Sequence, residues 1–190
     1  MSEKDDLRAQ AARHRERIDP ASEPAEEAAR LFAQTIPLSP DRSVAAYWPK
    51  GREFPTFDIL ADLLEKGVPC ALPVMRAGSR ILSFARWRDG ESLAEGPFGI
   101  RQPIENAQTH WMEPDIVLVP LLAFDRRGHR LGHGMGYYDA TLADLRAKKP
   151  VVSVGLAWAQ QAVLFNLPAE PHDQPLDYVI TPLKVHCFLR

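Results

Sequence analysis

The sequence predicts a single α/β domain over residues 1–190, in which a mainly parallel sheet is covered by helices on both faces in a Rossmann-like, three-layer arrangement. Short apolar runs, typical of strands buried on both faces, alternate along the chain with helical patterns. The 190 residues suit one domain with a substantial core, and no internal repeat or low-complexity tract divides them. The expected strands are residues 44–48, 68–75, 116–122, 151–157 and 177–181, with a less regular one at 81–87.

Two helical segments begin the chain. Residues 3–17 are rich in charged helix formers, and Lys4 and Arg8, four residues apart, place two cations on one face. Taken alone, such a pair favours a solvated surface helix, because charge runs are usually exposed. A turn follows at residues 19–23, and residues 24–34 have the pattern of a second helix.

A polar loop follows the first predicted strand. Pro49 ends the strand at 44–48, and the loop 49–53 lies where ligands of open α/β sheets collect. Thr56 is the expected N-cap of a helix over residues 56–66, which ends at Gly67. Within the loop, a Glu53 paired with Lys50 or Arg52 is the simplest interpretation, and the strand-end Trp48 is expected to pack in the core.

The stretch 114–146 is the one around which we expect the functional site. A buried strand at 116–122 is followed by a loop with glycine at every second position, Gly132, Gly134 and Gly136, and then by a helix over 137–146. A strand, a glycine-rich loop and a helix N-terminus together direct backbone N–H groups at an anion. The spacing matches neither the P-loop nor the dinucleotide fingerprint, so the glycines alone leave phosphate binding and a plain tight connection open.

Composition excludes several classes of partner and site. A formal net charge of −2 gives no basis for nucleic-acid or acidic-membrane binding, and no segment has the length and apolar character of a membrane span or signal peptide. Two cysteines form neither a disulfide framework nor a zinc pattern with the histidines, so a reducing compartment is expected. We therefore expect a cytoplasmic monomer that binds small molecules.

The string FDRRGHRLGHGMGYYD, residues 124–139, resembles the signature of the 5-formyltetrahydrofolate cyclo-ligases, also called methenyltetrahydrofolate synthetases. In that family a strand ending in P-x-x-A-F-D precedes G-x-R-L-G-x-G-x-G-Y-Y-D. The K-x-x-L-R of residues 4–8, the Y-x-P-x-x-x-E of residues 47–53 and the E-x-H-D of residues 170–173 also fit. Residues 176–181, LDYVIT, resemble the family's closing strand L-D-x-I-I-T, so the likeness extends from Lys4 to Thr181. This chain departs from the family pattern at Gln102, His133, Met135 and Ala140.

The resemblance implies an ATP- and Mg²⁺-dependent ligase that converts 5-formyltetrahydrofolate to 5,10-methenyltetrahydrofolate and releases ADP and phosphate. It implies ATP binding by Lys4, Arg8, Arg130, Leu131, Gly132, His133, Gly134, Met135, Gly136, Tyr137 and Tyr138. It implies substrate binding by Trp48, Glu53, His133, Gly134, Met135, Gly136 and Tyr137. No general acid or base is assigned.

The resemblance also implies that Asp139 and Asp173 hold Mg²⁺, which takes one or two carboxylates together with phosphate oxygens and water. From the residues alone, Asp139 is equally an acid at a helix start and Asp173 a turn residue. The departures at His133, Met135 and Ala140 leave a second hypothesis open, a non-catalytic relative that binds nucleotide or folate and retains the fold.

Overall fold

The computed structural model describes residues 2–189. Within these residues the helices are α1 (Glu3–Arg17), α2 (Ala25–Thr35), α3 (Phe57–Glu65) and α4 (Tyr137–Lys148). The first six strands are β1 (Val44–Ala45), β2 (Cys70–Val74), β3 (Ser83–Arg86), β4 (Leu93–Glu95), β5 (Arg101–Pro103) and β6 (Trp111–Met112). The others are β7 (Ile116–Pro120), β8 (Ala123–Phe124), β9 (Arg130–Leu131), β10 (Val152–Leu156), β11 (Tyr178–Ile180) and β12 (Val185–Cys187).

A mainly parallel sheet forms the centre of the fold, as predicted. Its described strands run in the order β12-β11-β10-β7-β1-β2-β3-β6. The five strands from β11 to β2 are parallel, whereas the edge pairings β11–β12, β2–β3 and β3–β6 are antiparallel. The chain passes from β1 outward to β2 and later returns to β7 on the other side of β1. The carboxyl ends of β1 and β7 therefore form the topological switch point, where open α/β sheets bind their ligands.

Helices cover both faces of this sheet, which confirms the three-layer prediction. Side chains alternate along each strand, so Ile116 packs with residues of α2 and α3 on one face, and Val117 packs with Leu142 and Leu145 of α4 on the other. The central strand β7 is buried from Ile116 to Val119. This burial explains why the strand reads as an unbroken apolar run.

The first strand is shorter than predicted because the chain leaves the sheet to build the polar loop. The Tyr47 carbonyl accepts a hydrogen bond from the Thr56 hydroxyl at 2.9 Å, and the Tyr47 hydroxyl donates to the Phe54 carbonyl at 2.7 Å. The Ala46 amide still bonds the Ala71 carbonyl of β2 at 2.9 Å, and from Tyr47 onward these loop bonds take the place of sheet pairing. Thr56 occupies the N-cap position of α3, as predicted, but its hydroxyl bonds across the loop and makes no cap bond to the helix.

Candidate active site

A cavity of about 700 Å³ opens at the switch point of the sheet. Its walls come from α1, from the loop after β1, from the glycine-rich loop with the start of α4, and from the segment 170–173. A volume in this range suits a drug-sized ligand. The sequence-predicted residues that line it are Lys4, Arg8, Trp48, Glu53, Arg130, Gly132, His133, Gly134, Met135, Gly136, Tyr137, Tyr138, Asp139 and Asp173. The structure thus brings together residues separated by almost the whole chain.

Leu131 is the exception among the predicted residues. Its side chain is 2% exposed and packs with Leu122, Ala123 and Leu167 in a separate apolar cluster, facing away from the cavity. The alternation of a strand explains this, because Arg130 and Leu131 are neighbours in β9 and point to opposite sides. The assignment of Leu131 to ATP binding is corrected for its side chain: only Arg130 of this pair reaches the cavity.

The glycine-rich loop presents unpartnered amides to the cavity. Gly136 precedes α4 with φ +71°, in the left-handed region, and no side chain caps the helix. Within residues 2–189, the amide N–H groups of residues 133 to 139 donate to no protein acceptor. Free amides at a helix start, together with the helix dipole, form a binding site for an anion such as phosphate.

Two of the three loop glycines are required by the backbone. Gly134 and Gly136 have φ +91° and +71°, whereas Gly132 has no positive φ and open space where a Cβ would lie. Alanine at Gly134 or Gly136 should therefore lower the free energy of unfolding by about 1–3 kcal/mol, the usual cost of a strained backbone residue. Gly132→Ala is the matched control and should change stability by less than about 0.5 kcal/mol. Urea unfolding of the three unliganded variants measures the difference, and equal losses in all three would contradict this explanation.

The predicted cations are held at the cavity wall by acidic partners. Lys4 is only 9% exposed, and its Nζ lies 2.6 Å from the Asp173 carboxylate and 3.4 Å from that of Glu170. Arg8 pairs with Asp5 at 2.7 Å, and its guanidinium lies 3.3 Å from where a Cβ on Gly134 would be. The interpretation of α1 as a solvated surface helix is therefore wrong for the face that carries Lys4 and Arg8.

Arg130 and Asp139 form an ion pair beneath the glycine-rich loop. The Arg130 side chain is 5% exposed; its Nη2 donates to the Asp139 carboxylate at 2.8 Å and its Nη1 to the Gln174 carbonyl at 2.6 Å. The same Asp139 oxygen accepts the Gln174 amide at 2.9 Å. Asp139 therefore does more than balance a helix start: it orients Arg130 and joins α4 to the segment that leads into β11.

The segment 170–173 supplies a second group of acids. Glu170, His172 and Asp173 place ligand atoms within 4.8 Å of one another. Burial alone would raise the pKa of Asp173, but the hydrogen bond from Lys4 and that from the Glu170 amide outweigh it, so the pKa lies below its usual value. An ionised carboxylate near the glycine-rich loop has the donor chemistry that Mg²⁺ prefers. In this structure the Lys4 ammonium lies among these acids.

The other end of the cavity combines a carboxylate with aromatic rings. Glu53 has one oxygen 2.9 Å from the Lys50 amide and the other 3.4 Å from His133 Nε2, and its side chain is 12% exposed. The side chain of Lys50 instead bonds the Phe98 carbonyl, and Arg52 lies 4.0 Å from Glu16. The expected pairing of Glu53 with Lys50 or Arg52 side chains is therefore not observed, and its carboxylate remains directed at the cavity.

Three aromatic side chains complete this end. Trp48 is half-buried, packs edge-on against Phe57 and Trp87, and also lines the cavity. Phe98 lies edge-on to Tyr137, with ring centroids 6.5 Å apart. Phe98 also has φ +60°, an unusual conformation for an aromatic residue and one that the fold retains at the cavity rim.

Several lining residues escaped sequence reasoning. Among them are Arg15, Lys50 and Phe98, whereas Glu170 and His172 lie in the E-x-H-D motif but were given no role. Arg15 carried a signal, because it follows Arg8 by seven residues, two helical turns on the same face. Phe98 begins the F-G-I of residues 98–100, which matches the family pattern, but nothing in the sequence indicated its left-handed backbone.

Comparison with known proteins finds that this chain is similar to one family over most of its length. The model of the 5-formyltetrahydrofolate cyclo-ligase family matches residues 1–182. A 5-formyltetrahydrofolate cyclo-ligase of Mycolicibacterium smegmatis is 38% identical over 168 residues, which are 83% of this chain and 82% of that protein. One from Haemophilus influenzae is 36% identical over 138 residues, 71% of this chain and 73% of that protein. The 5,10-methenyltetrahydrofolate synthetase of Aquifex aeolicus superposes with a TM-score of 0.78 at 26% identity, covering 98% of this chain and 93% of that one.

Proposed function

Because the chain belongs to the 5-formyltetrahydrofolate cyclo-ligase family, we propose that it converts 5-formyltetrahydrofolate to 5,10-methenyltetrahydrofolate at the expense of ATP, with ADP and phosphate as products. One observation supports this most strongly. A single cavity joins an end lined by cations and free amides to an end lined by a carboxylate and aromatic rings. The first suits a triphosphate and the second a flat heterocycle with N–H groups.

The reaction requires activation of a poor leaving group. Transfer of the γ-phosphoryl group of ATP to the formyl oxygen forms a C–O–P linkage and releases ADP, while the N5 lone pair gives the carbon iminium character. N10 then attacks that carbon and loses its proton, and the C–O bond breaks to release phosphate. The former formyl oxygen leaves in the phosphate, and the product carries the N5–CH–N10 bridge. Positioning and charge stabilisation are the main contributions that a protein makes to such a transfer.

The nucleotide end is assigned to the loop amides and three cations. The unpartnered N–H groups of residues 133 to 139 would bind phosphate oxygens, with Lys4, Arg8 and Arg130 offsetting their charge. Lys4 is close to two carboxylates, so its ammonium is already at the cavity and needs only a side-chain rotation to reach a phosphate.

The carboxylates of Asp139 and Asp173 fit Mg²⁺ by their donor chemistry, and they are the residues to which we assign it. When bound, the ion would neutralise charge on the β- and γ-phosphates. Glu170 has a carboxylate oxygen within 4.8 Å of an Asp173 ligand atom, so it could serve as a further oxygen ligand.

The substrate end is assigned to Glu53, with the aromatic residues around it. A carboxylate accepts hydrogen bonds from two adjacent N–H groups of a pterin edge. Trp48 and Tyr137 offer apolar walls for the ring system, and His133 lies against Glu53 at the opening.

Incubation with Mg-ATP and 5-formyltetrahydrofolate, followed by the absorbance of the methenyl product, tests this proposal. Product should form only when both substrates and Mg²⁺ are present. Calorimetry with each ligand separates the alternatives: binding of ATP or folate without product would identify a non-catalytic relative. Absence of any binding would leave only a structural domain.

Two further expectations accompany the proposal. Small-molecule substrates require no second subunit, and sedimentation of the purified chain should give the mass of a monomer. Among residues 2–189, none of the helices combines the length and apolar character that crossing a bilayer requires. Cytoplasmic placement stays a prediction, and fractionation of cells expressing the protein would test it.

A further inference from the structure

Arg15 is a buried cation that the proposed roles leave without a function. It lies near the end of α1, is 6% exposed, and lines the cavity. Within residues 2–189 its side chain donates no hydrogen bond, and its buried Nε and Nη1 atoms have no partner. Burying a guanidinium without a partner is costly, and native proteins rarely leave such a group unsatisfied. The arrangement indicates that a ligand supplies the missing acceptor.

The position of Arg15 on α1 indicates at which end of the cavity it lies. Arg15 lies seven residues beyond Arg8 and eleven beyond Lys4 on one helix face, about 10 Å and about 16 Å along the axis. Arg8 is beside Gly134, and Lys4 is beside Asp173. Of the three α1 cations that line the cavity, Arg15 is therefore the farthest along the helix from Lys4 and its partner Asp173.

Its neighbours are those of the substrate end. Burial is the main cause that raises the pKa of the Tyr47 phenol, the Glu53 charge adds to the rise, and the Arg15 charge opposes it. Glu16, the next residue on α1 after Arg15, lies 4.0 Å from Arg52, the residue before Glu53, and Arg15, Tyr47 and Glu53 all line the cavity. Arg15 and Glu53 therefore lie at the same end. They are more than 4.0 Å apart, since no ion pair joins them in the described part of the chain. The two charges line one cavity without forming an ion pair.

We infer that Arg15 is a substrate-binding residue that donates to the carbonyl oxygen of the pterin edge held by Glu53. This inference rests on the proposed function. An arginine side chain only donates hydrogen bonds and an ionised glutamate only accepts them. The pyrimidinone edge of a pterin presents a carbonyl oxygen next to an N–H group and an amino group. A donor and an acceptor placed together complement that edge in one orientation only.

Arg15→Met tests the inference, because methionine keeps length and apolar bulk but has no donor. The KM for 5-formyltetrahydrofolate should rise about 10- to 100-fold, the effect of losing hydrogen bonds from a charged group. The KM for ATP should stay within about twofold, since Lys4, Arg8 and Arg130 are unchanged. Arg15→Lys should recover part of the loss. The matched control is Arg13→Met on the same helix, where Arg13 is exposed and outside the cavity, and it should leave both constants unchanged.

The other outcomes overturn the inference in distinct ways. A rise in the KM for ATP would assign Arg15 to phosphate. Unchanged constants with a lower melting temperature would assign it a structural role, whereas the inference predicts an equal or higher melting temperature without ligand, because an unpaired buried charge is removed.

A tetrahydropterin without the aminobenzoylglutamate tail, titrated by calorimetry, separates the pterin from the tail. It should lose affinity in Arg15→Met, and unchanged affinity would place Arg15 on the tail carboxylates. Failure of the wild-type protein to form methenyl product would reject the proposed function itself. Product formation with an unaffected Arg15→Met variant would reject only the inference.

Discussion

Asp139→Asn should lower turnover by about 10²- to 10³-fold, the effect of removing one electrostatic contact to a transition state. Asparagine keeps the size of the side chain and one carbonyl oxygen but removes the charge. It weakens the hold on Arg130, whose guanidinium lies 2.8 Å from the carboxylate, and it removes an oxygen donor from the proposed Mg²⁺ site. Both losses fall on groups that we assign to the phosphates. Turnover with saturating Mg-ATP and folate is the measurement.

The loss of stability in this variant should leave the protein folded. Arg130 retains its bond to the Gln174 carbonyl at 2.6 Å, and the asparagine oxygen can still accept the Gln174 amide. We expect the free energy of unfolding to fall by about 1–3 kcal/mol, the worth of a hydrogen bond between charged groups. Turnover must therefore be compared at a temperature at which both proteins are folded.

Asp144→Asn is the matched control for this experiment. Asp144 belongs to the same helix, pairs with Lys148 at 2.9 Å near the surface and is outside the cavity. Its replacement should leave turnover unchanged and cost at most about 0.5 kcal/mol, because an exposed i,i+4 pair contributes little. If Asp139→Asn lost turnover only in proportion to folded protein, Asp139 would be a structural residue and the proposed metal assignment would fail.

The fold could be predicted from the sequence because its buried strands are marked by short runs of apolar residues. Ile116 to Val119 are apolar and β-branched or leucine, and each is fully buried between two helical layers. Predicted strands exceed the observed ones by one to three residues where polar loops begin. Tyr47 shows the cause, since bonds to Phe54 and Thr56, both later in the chain, remove it from the sheet.

Hairpins outside the main sheet were not predicted. The strands β4 and β5 pair over three residues, and β8 and β9 over two. Segments this short lack a periodic pattern, so their pairing depends on contacts that are distant in sequence. The β8–β9 hairpin nevertheless matters to the site, because it turns Arg130 toward the cavity and Leu131 away from it.

Site residues that belong to a family motif could be predicted from the sequence. A site residue that is recognised only by its burial could not. Lys4 and Arg8 came from a resemblance, and the structure adds that their helix face is covered. Arg15 has the same chemistry and a helical spacing, but the sequence could not show that it is buried without a partner. Only the packing of α1 against the loop after β1 reveals it.

Asp125 is an acid between β8 and β9 whose burial the sequence does not reveal. It is 1% exposed, and its carboxylate accepts four hydrogen bonds. One oxygen accepts the amides of Arg127 and His129 at 2.9 and 3.0 Å, and the other accepts Arg127 Nε and the Leu167 amide, both at 3.0 Å. The carboxylate thus closes the β8–β9 turn and ties it to the segment at Leu167. Its contribution should be to stability.

Asp125→Asn should lower the free energy of unfolding at neutral pH by about 3 kcal/mol or more, because it removes two hydrogen bonds to a charged acceptor. The asparagine oxygen can replace only one carboxylate oxygen, and its NH₂ group would face Arg127 Nε and the Leu167 amide, which are both donors. Urea unfolding measures the loss. Asp89→Asn is the control, since Asp89 lies in an exposed turn and accepts one amide bond, at 3.0 Å from Gly90.

The pH dependence of stability gives an independent test of the same carboxylate. Burial alone would raise the pKa of Asp125, but the hydrogen bonds from Arg127, Leu167 and His129 outweigh it and hold the pKa below the usual 3.8. A depressed pKa means that the stabilisation is complete above the unfolded-state value of about 3.9 and is lost as the pH falls through the lower, folded-state value. The wild-type free energy of unfolding should therefore fall below about pH 4, and this decline should be shallower in Asp125→Asn. If the free energy of unfolding fell equally steeply below pH 4 in the two proteins, Asp125 would not be ionised in the folded state.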